Sequence, residues 1–92
     1  MINPVIDEYG NKQWYDSGGY YHRDGGPAII CANGAKYWYQ HDMRHRDDGP
    51  AIIASNGENY WYLNDRYLSF DEWLHEVDMS DEAKVMMKLQ HG

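Results

Sequence analysis

Short apolar runs separated by turn residues fill most of the chain, and one stretch of this pattern occurs twice. Residues 22–30 (HRDGGPAII) recur 23 positions later as residues 45–53 (HRDDGPAII). The segments that follow, Asn33-Gly34 and Tyr37-Trp38-Tyr39, recur at the same offset. A degraded copy, which contains Trp14-Tyr15, precedes them at an offset of 24. Self-similarity at this period is typical of a repeat architecture, here of three hairpin units.

The turn residues predict where each unit folds back. Asn-Gly between two apolar runs favours a type I′ turn, because both turn positions need a positive φ. We therefore expect hairpins that pair residues 27–32 with 35–40 and residues 50–55 with 58–63. The degraded copy pairs residues 4–8 with 12–16, and the Gly-Pro stretches predict turns between units. The predicted fold class is mainly β, a six-strand antiparallel hairpin-repeat meander over residues 1–68.

The alternation of side chains along a strand places three tryptophans at equivalent positions. We expect Trp14, Trp38 and Trp61 to form a row in the core, covered by the C-terminal segment. An exposed row used for binding is the alternative.

The pattern becomes helical after residue 68. Ser69 and Glu72 have the spacing of a capping box, and Ser80 precedes two acidic residues where a helix begins. We expect residues 69–92 to be a short helical cap that packs on the sheet within a single domain, through Phe70, Trp73, Leu74 and Val85. Alternatively, its acidic, Met-bearing outer face is a docking surface, formed by Glu76, Asp78, Asp81, Glu82, Met86 and Met87.

Charge and composition narrow the range of partners. Eight basic and fifteen acidic residues give a formal net charge of −7, which argues against binding to a phosphate backbone and favours protein partners.

The apolar stretches are shorter than the ~20 residues that span a bilayer, and the start of the chain does not resemble a signal peptide. The one cysteine, Cys31, fits a reducing compartment. We therefore expect a cytoplasmic protein with no membrane contact.

Catalytic and metal-binding motifs do not emerge from the sequence. His22 and His45 occupy equivalent turns about 9–10 Å apart, since two strand spacings separate them, and this is too far for a shared zinc ion. We expect both to be turn residues. We further expect Asp24 and Asp47 to cap turn N–H groups, and the paired arginines (Arg23 and Arg46) to bond carboxylates of adjacent repeats. The prediction is a protein that is not an enzyme and needs no cofactor or metal.

The variable connections between units are the predicted binding edge. Repeat scaffolds commonly carry recognition in such segments, here residues 16–21, 40–44 and 64–67. Their aromatic, Met, His and Arg side chains are of types found at interfaces. The predicted protein-binding residues are Tyr20, Tyr21, His41, Met43, Arg44, Arg66 and Tyr67.

The hairpin period and the Tyr-Trp-Tyr strands resemble MORN-type repeat proteins. The chain resembles more closely a group of small bacteriophage-type proteins. These proteins carry W-Y-x-x-G-x-x-H-R-x-D-G-P-A repeats, which residues 38–51 resemble, and an S-F-x-E-W/F-L tail, which residues 69–74 resemble. This resemblance implies a phage or mobile-element origin and action in the cytoplasm of a bacterial host. It also implies that this small protein binds a host protein, and CRISPR-Cas or restriction machinery is among the classes of host protein that such proteins bind.

Two further functions remain open beside the leading one. The leading hypothesis is a monomer or homodimer that binds a host bacterial protein and inhibits or redirects it. A structural or assembly protein could instead self-associate through open sheet edges. An acidic surface could also mimic nucleic acid.

Overall fold

Short antiparallel strands and two C-terminal helices make up the part of the chain that the computed structural model describes, residues 3–91. The predicted segments also include residues 1, 2 and 92, which lie outside the described residues. The elements are β1 (Val5–Ile6), β2 (Lys12–Gln13), β3 (Ile29–Ile30), β4 (Lys36–Tyr37), β5 (Tyr39–Gln40), β6 (Met43–Arg44), β7 (Ile52–Ile53), β8 (Asn59–Leu63), β9 (Arg66–Leu68), α1 (Phe70–Glu76) and α2 (Asp81–His91).

Seven of these strands form one sheet in the order β1-β2-β3-β4-β7-β8-β9. Each predicted hairpin is present, since β1 pairs with β2, β3 with β4 and β7 with β8, all antiparallel. Neighbouring units join through the pairs β2–β3 and β4–β7. The predicted mainly antiparallel sheet with a helical C-terminal segment is confirmed.

The turn type predicted at Asn-Gly is wrong. The glycines Gly34 and Gly57 have φ of 96° and 88°, whereas the asparagines before them keep ordinary negative φ. The N–H of Cys31 donates to the Ala35 carbonyl at 2.8 Å, and the N–H of Gly34 donates to the Cys31 carbonyl at 2.9 Å. This is a three-residue loop, a type I turn followed by a left-handed glycine, which is the next most common way to close a hairpin.

Type I′ turns occur instead in the predicted variable connections, which form hairpins of their own. The pair β5–β6 is closed by His41 and Asp42, with φ of 49° and 70°. The pair β8–β9 is closed by Asn64 and Asp65, with φ of 50° and 67°. The predicted six-strand meander is therefore incomplete, because each unit contributes a second hairpin.

The first unit closes its second hairpin with a longer loop. There Tyr15 and Tyr21 form an isolated bridge, and the N–H of Asp16 donates to the Tyr20 carbonyl at 2.8 Å. The loop contains three residues and ends on Gly19, with φ of 84°. This extra residue accounts for the offset of 24 rather than 23 between the first two units.

The tryptophans are covered differently from the prediction. Trp14 and Trp61 are buried and Trp38 is half-buried, but the helical tail reaches only Trp61. The two short helices are each roughly 10–17 Å long by the rise per residue, while the molecule extends 41 Å. The other two indoles are covered by arginines of the following unit, with Arg23 Cζ 3.8 Å from the Trp14 ring and Arg46 Cζ 3.9 Å from the Trp38 ring.

The main hydrophobic core lies at the C-terminal end of the sheet. The capping box is present, since Glu72 N–H donates to Ser69 Oγ at 3.1 Å and Ser69 N–H donates to Glu72 Oε1 at 2.9 Å. It directs α1 so that Trp73 is fully buried against β8. The core residues are Trp61, Leu63, Leu68, Trp73, Leu74, Val77 and Met87, with Phe70 and Met79 packed against them.

The expectation that Val85 packs on the sheet is wrong. Val85 is 56% exposed, whereas Met87 of the same helix is buried. Two residues along an α-helix are separated by about 200° around its axis. Since Met87 faces the core, Val85 faces away from it.

Candidate functional site

The second hairpins place equivalent residues of all three units in one row. Across the paired strands, Tyr15 lies opposite Tyr21, Tyr39 opposite Arg44, and Tyr62 opposite Tyr67. Directly opposed side chains point to the same face of a sheet. We define these six side chains as the tyrosine stripe: Tyr15, Tyr21, Tyr39, Arg44, Tyr62 and Tyr67.

Ring contacts make the stripe continuous. The ring centroids of Tyr15 and Tyr21 are 5.1 Å apart, and those of Tyr21 and Tyr39 are 5.3 Å apart. Arg44 Cζ lies 4.4 Å from the Tyr62 ring, whose centroid is 5.3 Å from that of Tyr67. These spacings fall within the range that favours aromatic pairs and cation–π contacts. Neighbouring members of the stripe therefore support one another within the molecule.

The stripe is only partly covered by the rest of the molecule. Five of its members are half-buried, and Tyr67 is 64% exposed. Burial raises the pKa of Tyr15 and of Tyr39, so both phenols stay protonated at neutral pH. The stripe thus presents ring faces together with the neutral hydroxyl groups of these two tyrosines.

Arg44 is held in place by two contacts. Its Nε donates to Asp65 Oδ1 at 2.6 Å, and its Nη1 donates to the Tyr62 hydroxyl at 3.3 Å. The hydrogen bond with Asp65 raises the pKa of Arg44 and lowers that of Asp65. The Arg44 guanidinium is therefore a positive charge held over the Tyr62 ring, among the other tyrosines of the stripe.

Three of the seven predicted binding residues lie in the stripe, namely Tyr21, Arg44 and Tyr67. Tyr20, Met43 and Arg66 occupy another set of equivalent positions, each directly before one of these three. Neighbouring strand residues point to opposite faces, so this second set faces away from the stripe. These three side chains are exposed, and Arg66 also bonds Glu76 at 3.3 Å.

The seventh predicted residue, His41, lies in the turn that closes β5 and β6. Its ring stacks on that of His22 with centroids 4.1 Å apart. Its Nδ1 is 2.8 Å from Asp16 Oδ2, and this hydrogen bond lowers the pKa of Asp16. His41 therefore links the second unit to the first, at one side of the stripe.

Sequence reasoning missed half of the stripe. The sequence pattern assigns Tyr15, Tyr39 and Tyr62 to the first hairpins, whereas in the structure these three residues pair with the connection that follows each of them. The signal was present in the 23-residue period, because these tyrosines recur directly before each connection.

The His-Arg turns have a repeated structural geometry. His22 Nδ1 accepts from the N–H of His41 at 3.1 Å, and His45 Nδ1 accepts from the N–H of Asn64 at 3.0 Å. Each bond joins a turn to the next type I′ loop. The same geometry in successive units fits the expected role of these histidines as turn residues.

The expected partners of the arginines and aspartates in these turns are wrong. Arg46 Nε bonds Asp48 of its own turn at 2.8 Å rather than a carboxylate of a neighbouring unit. Within residues 3–91, Asp24 and Asp47 accept no turn N–H, and Asp24 lies 3.3 Å from His22 Nε2 instead. The guanidinium groups are held above tryptophan rings, so carboxylates of the next unit are not their main partners.

A polar cleft of about 530 Å³ separates the two Gly-Pro turns, with Trp38 and Gln40 among its lining residues. Its arginines are already engaged, since Arg23 Nη1 donates to the Pro27 carbonyl and Arg46 Nη1 to the Pro50 carbonyl. Among residues 3–91, no three His, Cys, Asp or Glu side chains are grouped so that they could hold a metal ion. The stripe is consequently the stronger candidate site.

Comparison of the chain with protein-family models, with curated proteins and with solved structures finds no match. In the described part of the chain, neither helix has the length and apolar character needed to cross a membrane.

Proposed function

We propose that this protein is a non-enzymatic binding module that holds another protein against the tyrosine stripe. The observation that carries the proposal is the continuous, half-exposed row of five tyrosines and one arginine. Tyr and Arg are enriched among the residues that dominate binding energy at protein interfaces. Tyrosine also contributes a large contact area with few rotatable bonds, so little conformational entropy is lost on binding.

The charge of the molecule favours a partner with basic groups around the contact. The chain carries a formal net charge of −7, and the carboxylates of Asp16 and Asp65 lie beside the stripe through their bonds to His41 and Arg44. Complementary charge accelerates association and makes it sensitive to salt. Binding should therefore be slower at high ionic strength.

The proposed partner is a bacterial host protein, which the module inhibits or redirects in the cytoplasm of an infected cell. This step rests on the resemblance to phage-type hairpin-repeat proteins, a MORN-like pattern carried by residues 38–51 and 69–74. Defence enzymes such as CRISPR-Cas or restriction machinery are the first class to test.

The test is capture from bacterial lysate, followed by affinity measurement on the purified partner. Tyr67→Ala removes the most exposed ring of the stripe, and we expect affinity to fall about tenfold or more, as at an interface hot spot. Tyr9→Ala is the matched control, because Tyr9 is 74% exposed but lies in the first turn of the chain. Equal affinity of the two variants for the partner would remove the stripe as the binding site.

Assembly through sheet edges has less support. The outer strand β1 has only two residues and follows Pro4, and short edges with proline resist strand pairing. Competition between DNA and this protein for the captured partner would favour nucleic-acid mimicry instead.

A further inference from the structure

Helix α2 carries two apolar stripes on opposite sides. Met87 is buried, and the ring of His91 lies 5.0 Å from that of Trp61, so this side packs on the core. On the other side, Val85, Met86 and Leu89 are 56%, 55% and 76% exposed. A contiguous group of large apolar side chains on the surface of a small acidic protein marks an interaction site.

A groove runs beside this exposed stripe. It lies between α1 and α2 and has a volume of about 460 Å³, and its lining residues include Leu74, Val85, Lys84 and Lys88. An apolar side chain from a facing helix could enter it, as a knob enters a hole in packed helices.

The charges of α2 indicate what faces it. Asp81 and Lys88 lie two turns apart on one flank of the exposed stripe, and Val85 lies midway between them. When two helices pack antiparallel around a two-fold axis, the same flank of each helix meets. An axis close to Val85 sets Asp81 of each copy opposite Lys88 of the other.

We propose that the exposed face of α2 binds the α2 helix of a second copy of this chain in a two-fold, antiparallel pair. Val85 lies nearest the axis and faces the groove of the other copy, while Met86 and Leu89 pack on the flank away from Asp81 and Lys88. Two reciprocal Asp81–Lys88 contacts flank the apolar centre. This surface is separate from the tyrosine stripe, so the proposed dimer does not depend on the proposed function.

The test is sedimentation equilibrium of the full chain across a dilution series, with charge-swapped variants. The wild type should show a monomer–dimer equilibrium. Asp81→Lys alone and Lys88→Asp alone each place like charges at both contacts, and each should weaken association about tenfold. An equimolar mixture of the two variants should restore dimers, because opposite charges then meet at both contacts.

Circular dichroism and thermal melting of each variant establish that α2 is still folded, since Asp81→Lys also removes an acidic residue from the first helical turn. Leu89→Asp, which changes only an exposed side chain, should abolish the dimer while the melting curve of the monomer is retained. A wild type that stays monomeric at every concentration overturns the proposal. So does a mixture that dimerises no better than either variant alone.

Discussion

At the scale of single residues, the arginine of each His-Arg turn explains the glycine that follows it. The Arg46 guanidinium lies over Trp38 and donates to the Pro50 carbonyl at 3.1 Å. A Cβ added at Gly49 would lie 2.6 Å from Arg46 Cζ, and one at Gly26 would lie 3.0 Å from Arg23 Cζ. The glycine in each of the two His-Arg turns therefore leaves room for the guanidinium, and neither glycine is required for a positive φ.

A double-mutant cycle tests this contact. Gly49→Ala should lower the free energy of unfolding by about 1 kcal/mol, the low end of the usual effect of overpacking, because the guanidinium must shift from its place over the Trp38 ring. In an Arg46→Ala background the same change should have a much smaller effect, since the obstructing group is gone. Urea unfolding of the four proteins measures the coupling. Strictly additive effects would contradict the role assigned to Arg46.

At the scale of elements, helix α1 takes the place of the His-Arg turn that would follow the last unit. The pattern would place a His-Arg pair at residues 68 and 69, where the chain has Leu68 and Ser69. Ser69 instead begins a helix, and Trp73 covers Trp61 with ring centroids 4.6 Å apart. The indole Nε1 of Trp73 also donates to the Arg46 carbonyl at 2.8 Å. The tail therefore completes the last repeat.

Substitution of Trp73 separates its two contributions. Trp73→Phe keeps a ring but loses the hydrogen bond, and should reduce stability by about 1–3 kcal/mol. Trp73→Ala also leaves a cavity and should cost about 3–5 kcal/mol. His75→Ala, an exposed position of the same helix, is the control and should change stability by less than about 0.5 kcal/mol. Chemical unfolding gives all three values, and a Trp73→Ala protein as stable as the control would refute the assignment.

The sequence was sufficient for the positions of the first hairpins and the capping box, because Asn-Gly and Ser-x-x-Glu act locally. It did not distinguish a type I′ turn from a three-residue loop at Asn33-Gly34, since both place a glycine at a positive φ. It also missed the hairpins closed by His41-Asp42 and Asn64-Asp65, where residues other than glycine adopt positive φ. Val85 was misplaced because periodicity shows that a stripe is apolar without showing which stripe faces the core.

At the scale of the whole molecule, stability should be distributed unevenly along the sheet. The molecule is elongated, with extents of 41 × 28 × 22 Å, and the main core lies entirely at the C-terminal end. In the first unit, Val5 and Ile6 are 54% and 61% exposed. In a linear array each unit is stabilised chiefly by its neighbours, so a terminal unit with little buried surface opens first.

Amide hydrogen exchange can compare the units at equivalent positions. The N–H groups of Asp7, Cys31 and Ala54 occupy equivalent positions in successive units. They donate to the equivalent carbonyls of Asn11, Ala35 and Glu58, at 3.1, 2.8 and 2.8 Å respectively. We expect protection to increase in that order, because distance from the C-terminal core decreases. Equal protection of the three amides would show that the sheet opens as one cooperative body.

The junction between units also bears on how such a molecule can change in length. Each joint includes one strand pairing and one arginine on the preceding indole, as between the first and second units and again between the second and third. An inserted unit that repeats these contacts would leave both termini in their present surroundings. Every insertion would add two strand spacings, about 10 Å, together with one further pair of side chains in the row. The length of the molecule can therefore change in fixed increments of one unit.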